Sequence, residues 1–414
     1  MKTPSNWLTC RMQDIASIYN GNSISEEVKT RDFTGLATGY NYIATKDIGF
    51  DSVINYNNGV KIPFTRKDFK VAPKNTPLLC IEGGSAGRKL GFLSEDVCFG
   101  NKLCAFVSPL SKWIYFYLQS KYFLNHFNSN KNGLIGGVSI NKLKQVSIPV
   151  PPLAEQKRIV SKIEELFAVI DKQVKQLTAT QDSIMSYRQS ILYHYLSQNK
   201  YPKHTFGEVI KKIIGGSTPS KSHTEYYQGN IPFMTVKDMK SEYIEDTSWH
   251  ITKEALKNSS TNIVPPNTLI VATRVGLGKI VQMSKSVAIN QDLKGLLLKT
   301  DIIVQDFFKY ILKHKNSEIL YRSRGTTVKG ITLEDFKTIP FSLPSLSEQK
   351  AIVKKIETAF AAADKAQAAI TDALEQAKQL KYSILKRAFE GKLVPQDPND
   401  KPVDVTQLKK DKQK

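Results

Sequence analysis

Leu153-Ala154-Glu155-Gln156-Lys157-Arg158-Ile159-Val160-Ser161-Lys162-Ile163-Glu164 returns 193 residues later as Leu346-Ser347-Glu348-Gln349-Lys350-Ala351-Ile352-Val353-Lys354-Lys355-Ile356-Glu357, with nine of the twelve positions identical. The same offset joins Phe167, Ala168 and Asp171 to Phe360, Ala361 and Asp364, and Ser190-Ile191-Leu192 to Ser383-Ile384-Leu385. Upstream it joins Gly137-Val138-Ser139 to Gly330-Ile331-Thr332. A period this long marks a duplicated unit rather than a local motif.

Within the first copy Ile163, Ile170, Leu177, Ile184 and Ile191 recur every seven residues, with Ile159 and Leu166 opening a companion row. The second copy carries Ile356, Ala363, Ile370, Ala377 and Ile384 in the same phase. A period of 3.5 residues sustained over five heptads predicts a long coiled-coil helix, and the alanines allow close approach of a partner helix. Each helix of about 45 residues would run about 67 Å at ~1.5 Å per residue. Pro149, Pro151 and Pro152 precede the first helix and Pro202 follows it. Pro340 and Pro344 precede the second, and Gly391 and Pro395 follow. Ser345-x-x-Glu348 has the spacing of a capping box.

The blocks before the helices are related more loosely. Lys46-Asp47 aligns with Lys237-Asp238, Leu78-Leu79 with Leu269-Ile270, Gly87-Arg88 with Gly278-Lys279, and Gly21-Asn22-Ser23 with Gly216-Ser217-Thr218. Short apolar runs at 41–43, 78–81 and 269–273 alternate with Gly, Asn and Ser turns, and 114–127 and 306–320 read as short helices, so both blocks are mixed α/β. Conserved helices beside diverged blocks suggest a common partner for the helices and different ligands for the blocks.

The 414 residues carry 59 Lys+Arg against 38 Asp+Glu, a net +21. The excess sits in two separate blocks, +8 over residues 1–150 and +7 over 201–344, as expected of two surfaces for a polyanion such as nucleic acid. An apolar share of 41% rules out a mostly disordered chain. No run of 18 apolar residues suggests a membrane span, and the start carries no signal-peptide pattern. Cys10, Cys80, Cys98 and Cys104 form no CxxC pair, so neither a disulfide framework nor a zinc site is expected, and a cytoplasmic location fits.

Catalytic patterns are missing. Val264-Pro265-Pro266-Asn267 is not the Asp/Asn-Pro-Pro-aromatic motif that adenine methylation needs. Gly83-Gly84-Ser85-Ala86-Gly87 reads better as a turn than as a nucleotide loop. Gly278-Lys279 is followed by Ile280 where a P-loop has Ser or Thr. The six histidines, at 126, 194, 204, 223, 250 and 314, have no metal-ligand spacing. The chain reads as a binder.

The two Leu-x-Glu-Gln-Lys-x-Ile-Val-x-Lys-Ile-Glu segments, Gly215-Gly216-Ser217-Thr218-Pro219-Ser220, Ile231-Pro232-Phe233 leading to Lys237-Asp238, and Gly276-x-Gly278-Lys279 before Asn290-Gln291 together resemble the specificity subunit of type I restriction–modification systems, over nearly the whole chain. The first block departs from the pattern, with Gly21-Asn22-Ser23-Ile24-Ser25 for Gly-x-Thr-Pro-Ser and Asn101-Lys102 for Asn-Gln. The resemblance implies an α+β fold of two α/β target-recognition domains separated by two long antiparallel coiled-coil helices, a pseudo-twofold tandem repeat. Its parts would be 1–150 and 201–344 for the recognition domains, 151–200 and 345–392 for the spacer helices, and 393–414 for a polar basic tail, of which 401–414 reads as disordered or a loose strap.

It further implies a non-catalytic, sequence-specific DNA-binding subunit, each domain reading one half of a bipartite double-stranded target. The helices would dock two modification (methyltransferase) subunits, with Glu155, Gln156, Lys157, Glu348, Gln349 and Lys350 as the contact residues. Restriction (motor–nuclease) subunits would join that core. S-adenosylmethionine would then belong to the methyltransferase subunits, and ATP with Mg2+ to the nuclease subunits. This chain would hold no cofactor or metal. The alternatives are a single-chain DNA methyltransferase or nuclease with its own active site, and a coiled-coil scaffold without sequence specificity.

Phosphate contacts set affinity while base-edge contacts set sequence. Lys and Arg in Gly-rich turns are the phosphate candidates: Arg88, Lys89, Lys131, Arg274, Lys279, Arg322, Arg324 and Lys329. Asn22, Ser23, Ser217, Thr218, Lys221 and Thr273 can present the donors and acceptors that read bases. Lys46 and Lys237 recur with their aspartates, so an internal ion pair competes with DNA contact there.

Overall fold

The computed structural model describes residues 3–131, 136–325 and 330–404. Leu153–Leu196 and Leu346–Phe389 are helices of 44 residues each, the lengths their heptads predict. The chain falls into two compact units, 1–177 with 372–414, and 178–371, so each unit contains a half of both helices. Among the described residues no helix is long and apolar enough to cross a membrane.

Within the second unit Leu192 and Leu196 share a core with Ile352, Val353 and Ile356, while Arg188 pairs with Asp364. The residue numbers rise along one helix as they fall along the other, so the halves pack antiparallel, as expected. The first unit holds the equivalent arrangement. Ile159, Ile163 and Phe167 share a core with Leu385, Ala388 and Phe389, and Lys381 pairs with Asp171. The two ion pairs are repeat mates, and in both units the cation also lies over a phenyl ring, Lys381 over Phe167 and Arg188 over Phe360. These pairs sit at the surface and each contributes roughly 1 kcal/mol or less. The seam itself is apolar burial, with Ala363 buried where a larger residue would push the helices apart.

Each unit sets two small sheets above its helical pair. In the first, Ser17–Asn20, Leu103–Val107, Pro77–Cys80 and Leu90–Phe92 neighbour one another in that order. Lys61–Ile62, Tyr40–Ile43, Val97–Phe99 and Val71–Ala72 form the other sheet. The second unit repeats both orders, with Ile210–Gly215, Leu293–Leu298, Leu269–Ala272 and Ile280–Met283, then Trp249–Ile251, Ile231–Met234, Val287–Ile289 and Ile263–Val264. It adds Tyr243–Ile244 as a parallel edge strand. A two-strand ladder closes each block at the foot of its long helix: Leu8–Arg11 on Ser147–Val150, and Lys203–Thr205 on Pro340–Ser342.

The helices expected over 114–127 and 306–320 are each two helices, Ser111–Gln119 with Lys121–Ser129, and Gln305–His314 with Asn316–Tyr321. Ser120 makes the first break, its hydroxyl accepting from the Phe123 amide and donating to the Tyr117 carbonyl. The start of the polar basic tail is packed. Leu393, Val394 and Val403 pack on the first unit's core, and Arg158 pairs with a nearly buried Asp400 at 2.6 Å.

Candidate nucleic-acid interface

The loops that carry the basic candidates meet at one rim in each unit. In the first, Asn22 donates its amide to the Phe99 carbonyl at 2.9 Å, and a β-carbon on Gly21 would lie 1.8 Å from that oxygen. Gly216 stands in the same relation to Ile289, also at 1.8 Å, which explains a glycine in both copies when its neighbours differ. Lys89 Nζ donates to the Thr45 carbonyl at 2.9 Å, tying the 83–89 turn to the 45–47 turn. The strand pairing matches Lys279 to Lys89 rather than to Arg88, its partner in the sequence alignment, and Lys279 Nζ donates to the Met239 carbonyl at 3.2 Å. Gly87 and Gly278 both have positive φ, at 76° and 87°, so these turns need glycine as read. The 137–138 and 330–331 segments close the rims, Val138 N–H donating to Ile81 and Ile331 N–H to Thr273.

Asp47 and Asp238 are buried, and each accepts from a backbone amide of its own turn, Ala44 and Thr235, at 2.8 Å. Burial pushes the Asp238 carboxyl up, but hydrogen bonds from Ser248 and Thr235 hold it below its ordinary value. The aspartates therefore shape the turns and leave Lys46 and Lys237 exposed, so the internal Lys–Asp pair that the sequence allowed is not formed. Lys46 lies 4.0 Å from Glu26, whose carboxyl is lowered by its hydrogen bond with Lys29 and by both lysines.

Arg88 is exposed, its guanidinium donating to the Gly84 carbonyl. Ser23, Lys221 and Arg274 are exposed too, Arg274 lying 3.7 Å from Asp292. Arg324 is largely exposed, 4.0 Å from Asp335. Lys131 is half-buried over the Phe127 ring. Thr218 donates to Gln291 at 2.7 Å, still at the surface. Lys329 lies outside the described residues.

One of these expectations is corrected. Thr273 is 4% exposed and donates to the Asp292 carbonyl, so it offers DNA no surface. Asn22 donates to Asp68 and accepts from Lys70, Ser217 is engaged with Thr261, and Arg322 bridges Glu318 and Thr338. These three hold loops together and stay half-exposed. Lys102 and Gln291, exposed at matching rim positions, were legible only as the Asn-Lys and Asn-Gln pairs.

The proposed helix-docking residues divide. Glu155, Gln156 and Gln349 are buried, which withdraws them from any partner. Glu155 accepts from the Trp7 indole at 3.0 Å and from Gln396. Gln349 accepts from Val304 N–H at 2.7 Å and donates to the carbonyls of Ile302 and Pro344, both at 2.9 Å. Glu348 caps its helix through Ser345, as its spacing predicts. Lys157 and Lys350 remain exposed.

Comparison with known proteins agrees with this geometry. The family model described as type I restriction modification DNA specificity domain matches residues 4–179 and again 199–376. The chain is 27% identical over 232 residues to the EcoR124I/EcoR124II specificity subunit of Escherichia coli, covering 53% of this chain and 56% of that one. It is 24% identical over 440 residues to the StySPI specificity subunit of Salmonella potsdam, covering 95% and 91%. Among solved structures, a chain of a type I R-M system superposes with a TM-score of 0.75 at 18% identity, covering 95% of this chain and all (100%) of that one. The HsdS subunit of Thermoanaerobacter tengcongensis gives 0.54, also at 18% identity, covering 95% and 99%.

Proposed function

The chain belongs to the type I restriction–modification DNA specificity family, and on that premise we propose that each rim reads one half of a bipartite DNA target. The family makes it the sequence-specificity subunit of such a system. The observation that carries the finer reading is the duplicated rim. Two basic loop clusters share backbone ties, Cys80 N–H to Lys89 and Val138 N–H to Ile81 in one, Ala272 N–H to Lys279 and Ile331 N–H to Thr273 in the other. Both expose the repeated lysine, Lys46 or Lys237, but their other exposed side chains differ, Arg88 and Lys102 against Arg274 and Gln291. One scaffold presenting two chemistries suits two different half-sites, because phosphate contacts are shared and base contacts are not.

In this reading the exposed faces of the two long helices, including Lys157 and Lys350, receive two methyltransferase subunits. Those subunits carry S-adenosylmethionine and perform the chemistry, and this chain contributes position. Motor–nuclease subunits with ATP and Mg2+ complete the restriction assembly. The test is the adenine methylation pattern of the genome with and without this gene, paired with selection from a random duplex pool by the chain plus its methyltransferase subunits. A bipartite motif that vanishes with the gene and is recovered from the pool is expected. Selection of unrelated sequences, or methyl transfer by the chain alone, would overturn it.

A further inference from the structure

Ile48 and Ile54 bridge one another, and the five residues between them form a tight loop beside the first rim. Gly49 N–H donates to Val53 at 2.8 Å, Ser52 N–H to Gly49 at 3.3 Å, and Val53 N–H to the Asp51 carboxylate at 3.1 Å. Asn55 N–H ties the loop's exit to the Asp47 carbonyl at 2.8 Å, and Ser52 holds a positive φ of 68°. Such a loop is set rather than slack. What it carries outward is apolar: Phe50 is 65% exposed and Val53 is 63% exposed.

Two cations flank the phenyl ring. The Arg88 guanidinium lies 5.2 Å and the Lys89 ammonium 5.1 Å from its centroid. Both come from the 83–89 turn of the rim. The cation contacts hold the ring in place without covering it. Among the described residues the second rim lacks this feature. The position equivalent to Phe50 is Ser241, and the nearby exposed aromatic, Tyr243, lies instead in an edge strand with Lys309 over its ring.

We propose that Phe50 is an apolar wedge in the first recognition block, pressed against a base step of duplex DNA while Arg88 and Lys89 take the phosphates beside it. An exposed phenyl held by a hydrogen-bonded loop between two cations matches a polyanion with an apolar stacked interior. Proteins that deform DNA insert Phe, Leu or Ile between steps in this way. A protein surface would match it only by setting two carboxylates beside an apolar pocket, whereas duplex DNA presents phosphates beside every base step. The specificity gained falls on steps that unstack easily, so it adds deformability reading to the rim's polar contacts. The inference rests on the first rim being a DNA interface.

The experiment uses the full chain assembled with its methyltransferase subunits. Binding to the preferred duplex and to a randomised duplex pool is compared for the native chain, Phe50→Ala, Phe50→Leu and Arg88→Ala, over a range of salt. Phe50→Ala is expected to weaken binding about tenfold, the scale of one lost base–aromatic contact. It should also relax one or two positions of a single half-site. Its salt slope should be unchanged, since no charge is removed. Phe50→Leu should recover part of the affinity. Arg88→Ala should instead reduce the slope by about one and weaken all sequences alike.

Retention of the other half-site in the selected motif certifies folding. With 2-aminopurine placed in turn along the first half-site, fluorescence should rise at one step and lose that rise in Phe50→Ala. Unchanged affinity and motif in Phe50→Ala, while Arg88→Ala still weakens binding, would overturn the wedge alone. No effect of either change would overturn the rim as a DNA interface. Loss of assembly with the methyltransferase subunits in Phe50→Ala, seen by sedimentation, would mean that a protein covers the ring.

Discussion

Glu155-Gln156-Lys157 and Glu348-Gln349-Lys350 are identical triplets that open two equivalent helices, yet they are used differently. Glu155 is wholly buried beneath Trp7 and Gln396, whereas Glu348 is exposed and caps its helix through Ser345. Lys200 and Tyr201 also face Glu348, and together with Ser345, the largest cause, they lower its carboxyl. Gln349 satisfies its amide with three backbone groups, while the Gln156 amide nitrogen is buried without a hydrogen-bond partner. The difference comes from what each unit brings to the helix start. The first brings the N-terminal segment and the 391–404 strap, and the second brings the 197–205 connection and the backbone of Ile302 and Val304. Identical residues in a repeat thus keep a position without keeping a role.

The comparison is tested most severely by exchanging one block. Replacing residues 1–150 with the corresponding block of another family member should change one half of the methylated motif and leave the other intact. The cut belongs at 150 because an earlier one would split the Leu8–Arg11 and Ser147–Val150 ladder. If both halves change together in the selected sequences, the two rims are not independent readers.

A smaller effect separates the glutamines. Gln349→Met strands Val304 N–H and two carbonyls, and should destabilise the second unit by about 3 kcal/mol, since each unsatisfied buried group costs roughly 1–3 kcal/mol. Gln156→Met removes an amide nitrogen that had no partner and should shift the first unit by less than about 1 kcal/mol. Native-state hydrogen exchange within each unit measures both. Equal losses would erase the contrast drawn above.

Arg274→Ala sharpens the comparison of rims. As a phosphate contact it should weaken binding roughly tenfold to all sequences and flatten the salt dependence by about one unit of slope. Relaxation at a single motif position would instead make it a base reader. The same measurement on Lys46→Ala and Lys237→Ala shows whether the two equivalent lysines share a role.

The smallest effect is a pH response confined to one unit. Burial, then Lys315, lowers the His314 imidazole below its ordinary value of 6.5, and the ring nitrogen lies 2.9 Å from the Ser197 hydroxyl. The folded state therefore binds protons less readily than the unfolded one. The stability linked to His314 is present above about pH 6.5 and is lost as pH falls below it. The corresponding helix of the first unit, Ser111–Gln119, contains no histidine. Hydrogen exchange at about pH 7.5 and about pH 5.5 should show the second unit loosening more, and His314→Gln should remove most of that difference.

The heptads, the 193-residue offset and the flanking prolines were enough to fix both long helices to within a few residues, because periodicity and helix stops act locally. The paired charge excess and the turn glycines Gly21, Gly87, Gly216 and Gly278 were equally legible, since backbone close approach and positive φ admit few other residues. What the sequence did not decide was which candidate side chains are free. Thr273, Asn22, Glu155 and Gln349 have the chemistry of contact residues, but their polar groups are taken by carbonyls, amides and side chains distant in sequence. Phe50 has the chemistry of a core residue and is exposed because a hydrogen-bonded loop holds it between Arg88 and Lys89. Composition and spacing report what a residue can do. Only tertiary packing decides whether solvent, a backbone group or a ligand is there to meet it.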